Sequence, residues 1–145
     1  MSELAIHTHV PEPFLYQCLI LKKAYRLGIS VALLFDSQED CNYLDELLWT
    51  FDKQSFIPHA QTHSPGFQRG AYQLAMNPSE LQPTQMLVLA TRSVPQNILQ
   101  LLERFPKVID IVGTNDPFLT LGRERWKAYR RFGIQPVIHD RSKQT

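Results

Sequence analysis

The sequence predicts an α/β fold: a single-domain layered sandwich with a mostly parallel sheet flanked by helices. Three apolar runs carry that expectation, residues 29–35 (ISVALLF), 86–90 (MLVLA) and 108–112 (VIDIV). A short, near-continuous apolar run bounded by turn or polar residues fits a strand covered on both faces, as inside a parallel sheet. Between the runs lie segments whose apolar residues recur every three or four positions, the period of a helix with one buried face. Strands and helices alternating at this spacing are the pattern of right-handed crossover units.

Taken in order, Leu4 to Val10 alternates apolar and polar residues, with Leu4, Ile6, Thr8 and Val10 on one side, and predicts a half-buried strand. After Pro11 and Pro13, Phe14, Leu15, Cys18, Leu21 and Tyr25 mark a helix that Gly28 stops. Residues 29–35 form the next strand. Ser37 or Asp40 caps a helix with the stripe Tyr43, Leu44, Leu47, Leu48 and Phe51. Residues 55–62 hold Pro58, which cannot donate to a ladder, so they predict at most an edge strand or an ordered loop. Residues 63–70 read as a turn-rich connection. The strand at 86–90 is followed by a short helix over 96–105, with Ile98, Leu101 and Leu102 inward, and by the strand at 108–112. Asn115 or Asp116 caps a long helix with Pro117 in its first turn and Gly133 just past its end, and a last strand covers 134–138.

The chain of 145 residues has 43% hydrophobic residues and a formal charge of +1, enough for one core over residues 1–145 but too little charge for a broad nucleic-acid-binding field. Any basic surface must be a local patch. Two cysteines, Cys18 and Cys41, make no disulfide framework and sit in apolar helical segments, as suits a reducing compartment. The first ten residues have neither a basic nor an apolar leader region, and no apolar run approaches the ~20 residues that span a bilayer. These features lead to the expectation of a cytoplasmic protein that is not inserted in a membrane.

Little in the chain points to catalysis. The turn after the first strand, residues 10–13 (VPEP), is no glycine-rich phosphate cradle, and neither a P-loop nor a GxGxxG motif occurs. His7 and His9 are expected on one face of the first strand. His59 and His63 would share a face only in a helix, which Pro58 opposes. Without a cysteine or carboxylate at ligand spacing, these read as surface or half-buried histidines rather than a metal site. A site assembled from residues distant in sequence stays open.

The unusual feature is a pair of tryptophans on the wrong faces of their helices. At 100° per residue, Phe118, Leu121, Gly122, Ala128, Tyr129 and Phe132 share the core face of the long helix, with Arg125 among them, snorkelling or paired with a carboxylate. Leu119, Arg123, Trp126 and Arg130 form another face, with Lys127 at its margin. Trp49 lies nearly opposite the apolar stripe of its own helix. Three uses of the Arg123–Trp126 face stay open on the residues alone: a tryptophan packed under a loop beside solvated arginines, a site for an acidic group next to an apolar side chain, or stacking and phosphate contacts for single-stranded nucleic acid. Trp49 with residues 55–59 reads either as a hydrophobic contact surface or as a tryptophan covered by the following loop.

Residues 43–49 (YLDELLW) continuing to 55–59 (SFIPH), and residues 122–133 (GRERWKAYRRFG), resemble the signatures of the chi subunit family of bacterial DNA polymerase III. The likeness runs in order over most of the chain and includes Arg69-Gly70 and residues 108–112. It implies a fold like those of nucleotide-binding domains without the phosphate loop, no catalytic activity and no cofactor. It also implies a bacterial cytoplasmic adaptor, nucleoid-associated through the replisome, that joins the clamp loader, through the psi subunit, to the acidic C-terminal tail of single-stranded DNA-binding protein. That tail ends in a phenylalanine carboxylate. By the same resemblance Arg123, Trp126 and Val112 form the tail site, with Trp126 where a tyrosine is expected. Leu119 stands where a lysine is expected, leaving Lys127 and Arg130 as the cations available to compensate. Trp49, Phe56, Pro58 and His59 are the implied psi interface. The alternative function is direct binding of single-stranded nucleic acid.

Overall fold

The computed structural model describes residues 3–64 and 71–143, so Arg69-Gly70 and most of the connection expected over 63–70 lie outside the described residues. The described elements in chain order are β1 (Glu3–Val10), α1 (Pro13–Leu27), β2 (Val31–Leu34), α2 (Gln38–Thr50), β3 (His59–Gln61), β4 (Tyr72–Ala75), β5 (Met86–Leu89), α3 (Ile98–Arg104), β6 (Lys107–Gly113), α4 (Phe118–Arg131) and β7 (Val137–Asp140). Single 3-10 turns occur at Pro78–Glu80 and Arg141–Lys143. The strands form one seven-stranded sheet in the order β3-β4-β2-β5-β6-β1-β7, and its described pairings are all parallel. One core lies under α1 and α2 on one face of the sheet, a second under α3 and α4 on the other.

The apolar runs are where the sheet is most enclosed. Each residue of β2 is buried, as are Leu87, Val88 and Leu89 of β5 and Val108 to Val112 of β6. Helix boundaries follow the punctuation: Gly28 adopts the left-handed conformation (φ 73°) that ends α1, and the Ser37 hydroxyl accepts a hydrogen bond from Asp40 N–H to start α2. Gly133 (φ 77°) ends α4 in the same way. At its start, Asp116 accepts from Thr120 N–H, although the helix proper begins only at Phe118. Cys18 and Cys41 are buried free thiols, and desolvation pushes both up to about 12.

Several expectations change. The first strand is interior, paired with β6 and β7, so Leu4, Ala5 and Ile6 are all buried instead of alternating. Its register shifts between His7 and Val10, where His9 takes φ 60°. Val10 therefore joins the α1 core, whereas Leu4 and Ile6 join the α4 core. His7 and His9 consequently do not share a face: His7 meets Tyr16 of α1, and His9 pairs with Asp140 on the other side. The third change is β4, which lies between β3 and β2 and was not anticipated. The fourth is β7, which starts three residues later than expected because Ile134 N–H still bonds Tyr129 C=O and Pro136 has no N–H to offer. Ile134 packs on the α4 core in place of Phe132, which is exposed at the helix end.

Two contacts fix α4 on the sheet. Arg125 forms a buried fork to Asp110 in the middle of β6, Nε and an Nη each 2.9 Å from a carboxylate oxygen, and donates further to the carbonyls of Ile111 and Arg92. Tyr129 donates its hydroxyl to the same carboxylate. Burial opposes the charge on Arg125, but Asp110 outweighs it and raises the guanidinium's pKa. One turn before, Gly122 lets the helix backbone meet the strand: a Cβ there would stand 2.5 Å from a methyl carbon of Val112.

Two stability changes follow, both measurable by urea denaturation. Asp110→Ala leaves a buried guanidinium uncompensated and costs about 3–5 kcal/mol; a loss below about 1 kcal/mol would show that the fork is dispensable. Gly122→Ala costs about 1–3 kcal/mol despite alanine's better helix propensity, because Val112 or the helix must move aside.

Candidate functional site

Because α4 is pinned through Arg125 and Tyr129, its other residues are set in phase. Trp126 follows Arg125 by about 100° and Arg123 precedes it by about 200°, so neither reaches the core. Trp126 is 46% exposed. Between this face of α4 and the β1–β7 edge lies a cavity of about 260 Å³. Val112 and Gly122 form its buried depth, Leu119, Arg123 and Trp126 the α4 side, and Ile6, His9 and Ile138 the strand side.

The structure thus brings Val112, Arg123 and Trp126 into one cavity. Lys127 and Arg130 are exposed on the same helix but lie outside the lining. Lys127 faces Glu124 at 3.4 Å, a solvent-exposed pair of little energetic weight. Leu119 plays two parts, packing on the α4 core and lining the cavity. The wall residues from β1 and β7 were missed by sequence reasoning, since only the sheet order places them beside α4.

Electrostatics make the cavity mouth receptive to an anion. Among the described residues no carboxylate lies within 4 Å of the Arg123 guanidinium. Asp116, near the start of the helix, is already engaged: hydrogen bonds from Thr120, and more weakly the charge of Arg123, lower its pKa. Asp140 across the cavity is occupied too, 2.9 Å from His9 Nδ1 and accepting from Ser142 N–H and hydroxyl.

A second exposed aromatic group lies at the opposite edge of the sheet. Trp49, at the end of α2, is 56% exposed and Phe56 is 64% exposed, with ring centroids 5.8 Å apart. Pro58 is half-buried beside them. His59 is only 8% exposed; its ring lies 4.6 Å from that of Trp49 and is held by Ile57 C=O on Nδ1 (2.7 Å) and by Asp45 on Nε2 (2.9 Å). It therefore backs Trp49 rather than offering a surface of its own. The preceding turn is tied down by Asp52, which binds Lys22, Gln54 N–H and the Ser55 hydroxyl. Those bonds hold its carboxyl down at about 2.

A third place, the carboxyl end of the central strands, is where many α/β folds hold ligands. Here it is crossed by a forked pair between Arg92 and Asp40, both contacts 2.9 Å. The remaining cavity is about 30 Å³, room for about one water molecule.

Comparison with known proteins identifies the family. Residues 1–137 match the family model described as DNA polymerase III chi subunit, HolC. The DNA polymerase III subunit chi of Escherichia coli (strain K12) is 29% identical over 117 residues, covering 81% of this chain and 78% of that protein. The subunit chi of Haemophilus influenzae is 26% identical over 117 residues, covering 80% and 78%. By a family match over nearly its whole length, the chain belongs to the DNA polymerase III chi subunits.

Proposed function

We propose that this accessory subunit of the replication machinery is a non-catalytic adaptor. Through Trp49, Phe56 and Pro58, with His59 behind them, it holds the psi subunit and so the clamp loader. Through the α4 cavity it holds the acidic C-terminal tail of single-stranded DNA-binding protein. The observation that carries this reading is the placement of two exposed aromatic patches at opposite edges of one rigid sheet. From β3 to β7 there are six inter-strand steps of ~4.8 Å, so the patches are separated by ~29 Å across the strands and partners on them need not collide.

The cavity's chemistry suits the tail. A dry apolar cavity of ~150 Å³ takes a benzene ring, so one of about 260 Å³ has room for a phenyl group. Arg123 at the mouth supplies forked donors for a terminal carboxylate, and Trp126 a flat wall for the ring. Acidic residues upstream in the tail meet Lys127 and Arg130 over the exposed surface of α4. Single-stranded nucleic acid fits less well, because the depth of the cavity is aliphatic and gives a phosphate or a polar base edge no partner there.

Titration of a fluorescent acidic peptide ending in phenylalanine tests the cavity. Arg123→Ala is expected to weaken binding by about 1.5–3 kcal/mol, roughly 10- to 150-fold, and Trp49→Ala to leave it unchanged. In co-purification Trp49→Ala is expected to lose psi while Arg123→Ala keeps it. Undiminished peptide affinity in Arg123→Ala, or a single-stranded oligonucleotide competing at equal affinity, would overturn the reading.

A further inference from the structure

The face of the sheet opposite the α4 cavity holds a second feature that the two-site reading leaves unused. The core under α1 and α2 takes Val10 from β1 and nothing from β7, so α1 does not reach across to the β7 edge. The result is a groove of about 450 Å³ between α1 and the β6–β1 strip. Its apolar surface includes Leu19 and Leu27, which stand exposed on α1, and Ile109 at its floor. Its rim carries Lys23, Lys107 and Arg141.

These three cations have no ion pair among the described residues. Among the described residues none of them has a carboxylate within 4 Å, including Glu3, which stands opposite Lys107 in the β1–β6 register. Arg141 is held with its guanidinium 5.5 Å over the Tyr16 ring, and its buried Nε–H has no acceptor among the described residues. His7 on the groove wall senses the same field: burial first, then the charges of His139, Arg141 and Lys107, lower its pKa to about 4. Exposed leucines beside a basic rim that has no ion pair among the described residues make a surface with a missing partner.

We propose that this groove docks an acidic protein segment anchored by an apolar side chain. The charge complements the rim, and the anchor covers the exposed Leu19 and Leu27 above the buried Ile109. Nucleic acid is the poorer occupant, since Arg141 already covers the face of Tyr16, and the aliphatic floor gives bases nothing to stack on. The groove opens on the side of β1 away from the α4 cavity, so this proposal does not depend on tail binding there.

The test is an amide NMR titration of the full chain with the acetylated, amidated peptide Asp-Glu-Phe-Leu-Asp-Glu, which has no terminal carboxylate for Arg123. Shifts are expected to cluster at Leu19, Leu27, Ile109 and Arg141. Lys107→Glu/Arg141→Glu is expected to weaken binding tenfold or more, and Lys23→Glu alone several-fold, while Arg123→Ala leaves it unchanged. The proposal is overturned if no saturable shifts appear at millimolar peptide or if the shifts map to the α4 cavity and disappear in Arg123→Ala. It also fails if a peptide with serine in place of both apolar residues binds equally well, or if a single-stranded oligonucleotide binds the groove more tightly.

Discussion

The fork between Arg125 and Asp110 is the constraint from which the arrangement of this protein follows. An arginine on an amphipathic helix is ordinarily solvated, and burying one is costly unless a carboxylate and further acceptors meet it. Here Asp110 presents that carboxylate from the middle of the enclosed strand β6, and the carbonyls of Ile111 and Arg92 take two more of the guanidinium's donors. The contact demands a defined rotation of α4, as a hydrophobic stripe alone would not. That rotation leaves Arg123 and Arg130 roughly 140–160° from the buried direction and puts Trp126 at the flank, over the gap between helix and sheet.

The same network reaches the other side of the sheet. Arg92, whose carbonyl Arg125 uses, is itself forked onto Asp40 of α2, and Asp36 accepts from the backbone N–H groups of Arg92 and Ser93. The ends of β2, β5 and β6 are thereby joined to both helical layers by polar contacts. In an α/β fold this is the place most often left open for a cofactor. Filling it with paired side chains stiffens the body and moves the open surfaces to the two sheet edges. Rigidity suits a subunit proposed to hold two partners at a fixed separation, because binding then orders little and transmits position.

How much of this was legible in the sequence depends on whether the deciding contact was local. The buried runs of β2, β5 and β6, the Gly28 and Gly133 stops, and the outward phase of Trp49 and Trp126 depend on neighbours within a turn or two, and the structure agrees with them. β4 was invisible because Gln73 among its buried positions breaks the apolar run that marks β2 and β5. That polar side chain is tolerated only through bonds to the backbone of Gln82, nine residues away. The reversal of β1 at His9 was hidden for a related reason: the positive φ belongs to a histidine, not to a glycine that would have announced it. The cavity's second wall and the basic groove are products of strand order. No periodicity within α4 or α1 could reveal either one.

Leu119 shows how such a site changes character without changing place. The family resemblance leads to a lysine at this position, one turn before Arg123, where it would add a second cation to the mouth. A leucine instead packs on the core and extends the apolar lining next to Val112. Burying apolar surface contributes ~25 cal/mol per Å², a few tens of Å² matching an exposed ion pair of up to ~1 kcal/mol. Exchanging charge for apolar area can thus leave affinity similar while altering what provides it. The apolar contribution is insensitive to salt and directed at a ring; the lost one would have been screened and directed at any acid. In the proposed adaptor recognition therefore rests on Arg123 for the carboxylate and on Leu119, Val112 and Trp126 for the side chain, and a ligand lacking either half is expected to bind more weakly.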